Sequence, residues 1–495
     1  MRFFVPSFLL IFCFCQIGLA QSPQSEAIDA IVQEALRFWH VPGVAVGIVQ
    51  DDKVIYLKGQ GLKEVGKKDP VTPDTIFPLA SCTKAFTTTA MAVLVDEGKM
   101  KWDDPVRKHV DFFHLSDPSA DAMVTLRDLV THRTGVGPHE LLWYRSPWSQ
   151  EEIIRKIGKV KLDYPFRSGF RYQTTMFTTA GWAVGHASGL SWGDFVHKRI
   201  LEPLGMKSTS LNTIAAAQTS DLASPHRKGI NGPLEVIDWY YIEKPEPAGS
   251  VNSSARDLCQ WMRLHLNDGV VDGQRLVSTK NLEETHRPQN IIPLEGKARE
   301  MNPDTLQMSY GMGWVIQDYR CHLLVSHAGA IDGFRAHITL IPKKKIGIVL
   351  LNNLHQTNMN LALSNSIVDL LLGLPKKDWN AYIGELTRRD EAAARERNLE
   401  REKNRKPGTK PSLTLEEYTG SYSDPAYGTA TVSLENGHLD WKWSTFSNKL
   451  EHFQDDTFTI QNDLLGNPRV QFILSDGKIV GLKVMDVMEV EFKKS

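Results

Sequence analysis

Eleven consecutive residues, Ala85 to Val95, carry no formal charge, and Asp96, Glu97 and Gly98 then interrupt the run. A helix without a charged face has no side to turn to water, so it is a buried one. The stretch Pro78-Leu79-Ala80-Ser81-Cys82-Thr83-Lys84 leads into it. The sequence therefore predicts a buried helix starting near Ser81 and stopping where Gly98 takes the left-handed position past its end. Ser81 and Lys84 would share one face of it. A helix start also offers unpaired N–H groups and a partial positive charge to a developing anion. A serine hydroxyl attacks only when a neighbour takes its proton, and burial lowers a lysine's pKa enough for it to do so. Ser-x-x-Lys alone is a common coincidence, but at the start of an uncharged helix it is a candidate nucleophile and base.

The chain has 495 residues, which suggests two or three folding units. Met1 to Ala20 has the pattern of a secretory signal peptide: Arg2, an apolar core from Phe3 to Cys15, and Gly18-Leu19-Ala20 before Gln21. An exported protein, periplasmic or extracellular, is expected, with no stable membrane span because the apolar core is short. A formal net charge of −1 gives no reason to expect nucleic acid as a partner. Beyond the signal only Cys82, Cys259 and Cys321 remain, with no zinc spacing and no disulfide framework. Gly59-x-Gly61 lacks the third glycine of a dinucleotide fingerprint, so neither metal nor cofactor is expected.

Along the chain, Glu26 to Phe38 has helical spacing, and Gly43 to Val49 and Val54 to Gly59 read as a hairpin. Ser254 caps a helix from Ala255 to Leu266. Strand patterns follow at Gly311 to Gln317, His322 to Ser326, Phe334 to Leu340 and Ile346 to Leu351, then a helix near Leu361 to Leu372. Strands at both ends with helices between predict an α+β fold, one antiparallel sheet flanked by helices over residues 21–385. Residues 386–411 are dense in charge, a solvated helix or linker. From 412 to 495 short alternating runs separated by Glu435-Asn436-Gly437 and Ser475-Asp476-Gly477 predict a small β-barrel or sandwich, an independently folding unit.

Four motifs recur in order. Ser81-Cys82-Thr83-Lys84 is followed by Leu126-Arg127-Asp128-Leu129-Val130-Thr131-His132 with Gly135, then Tyr172-Gln173-Thr174, then His327-Ala328-Gly329. Together they resemble the serine β-lactamase and penicillin-binding-protein family, in its class C-like branch of esterases and D-amino-acid peptidases. The resemblance implies Ser81 as the acylated nucleophile and Lys84 as its proton acceptor. It implies Tyr172 as second base and proton relay, its pKa lowered by Lys84 and His327. His327 would orient substrate and tune Tyr172, Gly329 belongs to the same motif, and the N–H groups of Ser81 and Ala330 would bind the oxyanion. Thr174 stands where the family usually has Asn, which puts recognition of β-lactam side chains in doubt and leaves acylation untouched. His132 and Arg133 read as structural.

The expected function is an exported serine hydrolase acting through an acyl-enzyme on small esters or D-residue peptides. A β-lactamase or D-Ala-D-Ala carboxypeptidase is the enzymatic alternative, and a silent binding protein on the same fold is the other. No Gly-x-Ser-x-Gly occurs; in Gly185-His186-Ala187-Ser188-Gly189 the serine is one place late for an α/β-hydrolase elbow.

Overall fold

The computed structural model describes residues 23–229, 232–244 and 246–495, so the expected signal peptide, Met1 to Ala20, lies outside the described residues. Among the described residues an eight-stranded antiparallel sheet runs in the order Lys53–Gly61, Gly43–Gln50, Ile346–Asn352, Phe334–Ile341, His322–Ile331, Val315–Tyr319, Thr305–Tyr310, Asn290–Ile291. The N-terminal hairpin thus pairs with a strand some 300 residues later, Val44 opposite Asn352 and Ile48 opposite Ile348. Both faces of these central strands are buried. Val44, Val46, Ile48 and Leu350 pack against the helices Pro23–Trp39, Met359–Leu372 and Trp379–Lys403. Ala45, Val49 and Leu351 belong to the larger core on the other side, which includes the helix Ala255–Leu266. The antiparallel sheet flanked by helices is therefore as expected.

One segment differs from the sequence reading, and a second takes one of the two forms offered for it. Gly311 to Trp314 is a turn, with the Gly311 N–H donating to the Trp314 carbonyl at 2.7 Å, and the strand begins at Val315. The charge-dense stretch is helical as far as Lys403. Ala392-Ala393-Ala394 favours helix, and Lys297–Asp390 and Arg389–Glu300 ion pairs tie its outer face to the helix Gly296–Met301.

The C-terminal part is a closed barrel of eight strands, Gly420–Asp424 to Val490–Lys494, closed by Tyr422 opposite Lys494. Asn436 and Gly437 both have positive φ, as a two-residue hairpin turn requires. Tyr422, Trp441, Phe458, Phe472 and Phe492 fill the interior. The barrel is not free-standing. Its Tyr427, Ala426, Thr445 and Trp443 all touch residues between 139 and 156 of the first unit.

Enclosure holds five imidazoles, His132, His265, His286, His327 and His337, below the ordinary value of 6.5. The unfolded chain takes up these protons as pH falls below 6.5 and the folded chain does not, so stability is lost there. Buried Glu140, Glu246 and Asp257, pushed up by desolvation, oppose this, but they are fewer. The melting temperature should therefore fall between pH 7.5 and pH 5. A Tm that holds or rises over that range would contradict it.

Candidate active site

Thr83 to Leu94 are all buried, as the uncharged run requires. Two of its threonines satisfy distant carbonyls: Thr87 Oγ1 donates to Pro247 O at 2.6 Å, and Thr88 Oγ1 to Met312 O at 3.0 Å. Ser81 sits one step before this helix, in the tight 3₁₀ turn Ala80–Cys82. Ala80 adopts φ 45°, a left-handed conformation that costs a non-glycine residue about 1–2 kcal/mol. Leu79 N–H to Val251 O at 2.8 Å and Val251 N–H to Thr83 Oγ1 at 3.1 Å hold the turn from one side. From the other side the His322–Ile331 strand approaches so closely that a Cβ on Gly329 would lie 2.0 Å from the Leu79 carbonyl oxygen. Cys82 is a packing residue, its thiol donating to His327 O at 3.2 Å.

Lys84 is completely buried, its Nζ 3.2 Å from Ser81 Oγ and 3.1 Å from Ala248 O. Burial lowers its pKa to about 8, against the pull of the Glu140 and Glu246 carboxylates. Ser81 opens onto a cavity of about 680 Å³ whose walls include Glu140, Trp143, Tyr172, Thr174, Tyr240 and Ala330. Ser81, Lys84, Tyr172, Thr174 and Ala330 are thus brought together, with Gly329 behind them.

Tyr172 lines the cavity, and Lys84 Nζ lies 4.9 Å from its ring centre. Burial drives its phenol far above the ordinary value, while the nearby Ser81 hydroxyl draws it back a little without an ordinary hydrogen bond. The tyrosinate inferred from the resemblance therefore does not fit; Tyr172 rests protonated. The His327 half of the expected cationic field is also missing, because burial lowers it to about 3 and leaves it neutral. Lys84, with a pKa of about 8, is still mostly charged at pH 7.

His327 differs from expectation in its partners as well. Its Nδ1 donates to Ala328 O at 2.7 Å, which leaves Nε2 to accept from Tyr310 OH at 2.9 Å. Both nitrogens are thus committed within the protein, and the ring packs 6.3 Å from the Tyr172 ring. Thr174 is likewise occupied: its hydroxyl donates to Glu140, 3.3 Å from each carboxylate oxygen. His132 accepts the Gln173 N–H at Nδ1 across 3.0 Å and packs at a tilt against the Tyr172 ring, 4.4 Å between centres, which fits a structural role. Arg133 joins Arg167 in neutralising the buried Asp128 carboxylate.

The beta-lactamase family profile matches residues 28–371. The chain belongs to the beta-lactamase family. A domain of unknown function (DUF3471) matches residues 404–494. Among curated relatives of this beta-lactamase-family chain is the unguisins hydrolase ungD' of Aspergillus campestris, 29% identical over 83% of the chain and 78% of that protein. Protein flp of Staphylococcus aureus is 28% identical over 67% of the chain and 63% of that protein. Among solved structures, the octameric penicillin-binding protein homologue from Pyrococcus abyssi has a TM-score of 0.62 and 23% identity, covering 94% of this chain and 99% of that one. The D-amino acid amidase of Ochrobactrum anthropi has a TM-score of 0.59 and 24% identity, covering 71% of this chain and 98% of that one.

Within this beta-lactamase-family site the sequence reading missed Glu140, Glu246 and Tyr310. Glu246 is fixed by Thr178 Oγ1 at 2.7 Å and heads the Pro247-Ala248-Gly249 turn that offers Ala248 O to Lys84. That turn was legible in sequence, so its neighbour was within reach. Glu140 had no signal: its partners Thr174 and Lys84 lie 34 and 56 positions away.

Proposed function

We propose that the chain is an exported serine hydrolase that forms an acyl-enzyme at Ser81, acting on small esters or on peptides bearing a D-residue. The observation that carries this reading is a fully buried, weakly basic Lys84 amine 3.2 Å from a serine hydroxyl at a cavity wall. Ser81 Oγ attacks the substrate carbonyl and its proton passes to Lys84 Nζ. The N–H groups of Ser81 and Ala330 take the oxyanion, and the protonated Tyr172 phenol supplies a proton to the departing alcohol or amine. The Lys84 ammonium passes its proton back to Tyr172. Water then attacks the acyl ester, giving a proton to the neutral Lys84 amine, which hands it to the departing Ser81 Oγ and so restores all three groups. The hydrolase named among the relatives supports the reaction class.

Thr174 already bonds Glu140 instead of offering an amide to a β-lactam side chain. Hydrolysis of p-nitrophenyl acetate or butyrate should therefore outpace that of nitrocefin, and Ser81→Ala should abolish ester turnover without lowering the Tm. Fast nitrocefin turnover with esters barely touched would reverse the substrate assignment. A Ser81→Ala enzyme as active as wild type would remove Ser81 from the reaction.

A further inference from the structure

The wall opposite the Ala330 strand is irregular backbone, and it carries Glu140, Trp143, Ser146, Pro147, Trp148 and Ser149 into the cavity. Beyond the short 3₁₀ turn Glu140–Leu142 it has no regular structure up to Ser149, and His139 and Arg145 take positive φ. Its own backbone hydrogen bonds run only from His139 to Ser146. On its inner side Arg145 pairs with Asp332 at 2.7 Å and its N–H donates to Tyr240 OH at 3.0 Å. Its outer side rests on the C-terminal barrel.

The barrel's grip is specific. Tyr427 OH meets His139 Nδ1 at 2.7 Å, one residue before Glu140. Thr445 Oγ1 donates to Arg145 O. The Trp443 ring meets Trp148 edge-on at 5.8 Å. Lys156, from the helix Gln150–Ile157 that ends the wall, donates to Ala426 O at 3.2 Å while lying 4.0 Å over the Trp148 ring. The barrel side is itself braced: Asp424 Oδ1 accepts both the Ala426 and Tyr427 N–H groups at 2.8 and 2.7 Å, and Trp443 Nε1 donates to Tyr427 O at 2.9 Å. None of Ala426, Tyr427, Trp443 or Thr445 lines the cavity.

We propose that the barrel is a positioning part of the substrate site, with Tyr427 and the Ala426 carbonyl as the residues that set the aromatic wall at Trp143 and Trp148. This rests on the reading of Ser81 as the acylated nucleophile. Chemistry at Ser81 needs the turn, Lys84, Tyr172 and the oxyanion donors, and the barrel contacts described above reach none of them. Holding a bulky acyl group needs the wall. The barrel therefore governs which substrates the site accepts, and leaves the reaction itself alone.

The test compares full-length wild type with Tyr427→Phe and with the double variant Tyr427→Phe/Lys156→Met. The double variant removes two of the three hydrogen bonds and the Lys156 charge over Trp148, and leaves the Thr445 bond and the apolar contacts. Two esters report on the site: p-nitrophenyl acetate, too small to reach the wall, and p-nitrophenyl 3-phenylpropionate. Displacing a binding wall by a fraction of an ångström should raise KM for the phenylpropionate about tenfold in the double variant, with acetate kcat/KM within about twofold. Hydrogen exchange over residues 139–149 is measured alongside and should speed up in both variants. Equal losses on both esters, or exchange as slow as in wild type, would overturn the proposal. If wild type cleaves neither ester, the hydrolase reading has failed, and the exchange measurement still decides whether the barrel holds the wall.

Discussion

Replacing Lys84 with methionine should lower the acylation rate of Ser81 by roughly a thousandfold or more, the scale seen when an activated nucleophile loses its base. Methionine matches the length of the lysine stem and suits a position with no exposed surface. The variant leaves Ala248 O without the amine that reaches it at 3.1 Å, at a cost of about 1–3 kcal/mol for the unmet acceptor. Removing a desolvated amine works the other way, so the fold should survive. Lys84→Arg would be a poorer probe, because a larger and permanently charged group would enter a closed site. The pH profile adds a second signature. Only the neutral amine accepts a proton, so wild-type acylation should climb about tenfold per unit below pH 8 and level off above it. In the methionine variant that inflection should vanish. A variant that acylates within tenfold of wild type, with the same inflection, would show that the base is another group.

Gly329→Ala should cut kcat/KM for an activated ester by roughly a hundredfold, the loss expected when reacting groups move by about 1 Å. The added carbon would sit 2.0 Å from Leu79 O and 3.0 Å from Leu79 C, both backbone atoms that cannot swing aside. Either the Ser81 turn or the strand carrying Ala330 must retreat, and each holds one half of the site. At Gly329 the strand is paired on one edge only, opposite Ala336, since its pairing on the other edge ends at Ser326, so strand and turn can both shift. A lower Tm should accompany the loss. Activity within threefold of wild type would mean that the close approach of the two segments does not matter to the reaction.

The core of the catalytic unit could be read because its signals are local. An uncharged run of eleven residues can only be buried, and Ser81 and Lys84 meet because they are three apart on one stretch. That strands from both ends of the unit share one sheet followed from their patterns, although the pairing of Gly43–Gln50 with Ile346–Asn352 did not. The environments of the site residues did not follow, because they are made by distant segments. Nothing near His327 in sequence announces Tyr310 and the Ala328 carbonyl as partners for its two nitrogens. Nothing near Tyr172 announces the enclosure that keeps its phenol protonated. In the barrel, Phe446, Leu450 and Phe453 are spaced four and three apart, a helical rhythm. The strand Phe446–Gln454 hides behind it because a bulge between His452 and Gln454 shifts the alternation. The docking of the barrel was invisible for a related reason: Tyr427 and His139 are 288 positions apart, and each alone reads as an ordinary buried aromatic.

The central claim is that one serine carries the acyl group. Incubating the full-length protein with a fluorophosphonate and locating the adduct by mass spectrometry of its peptides tests that most directly. One adduct per chain is expected, on the peptide containing Ser81, formed faster at pH 8 than at pH 6 and absent from Ser81→Ala. An adduct on a different residue, or undiminished labelling of Ser81→Ala, would contradict it.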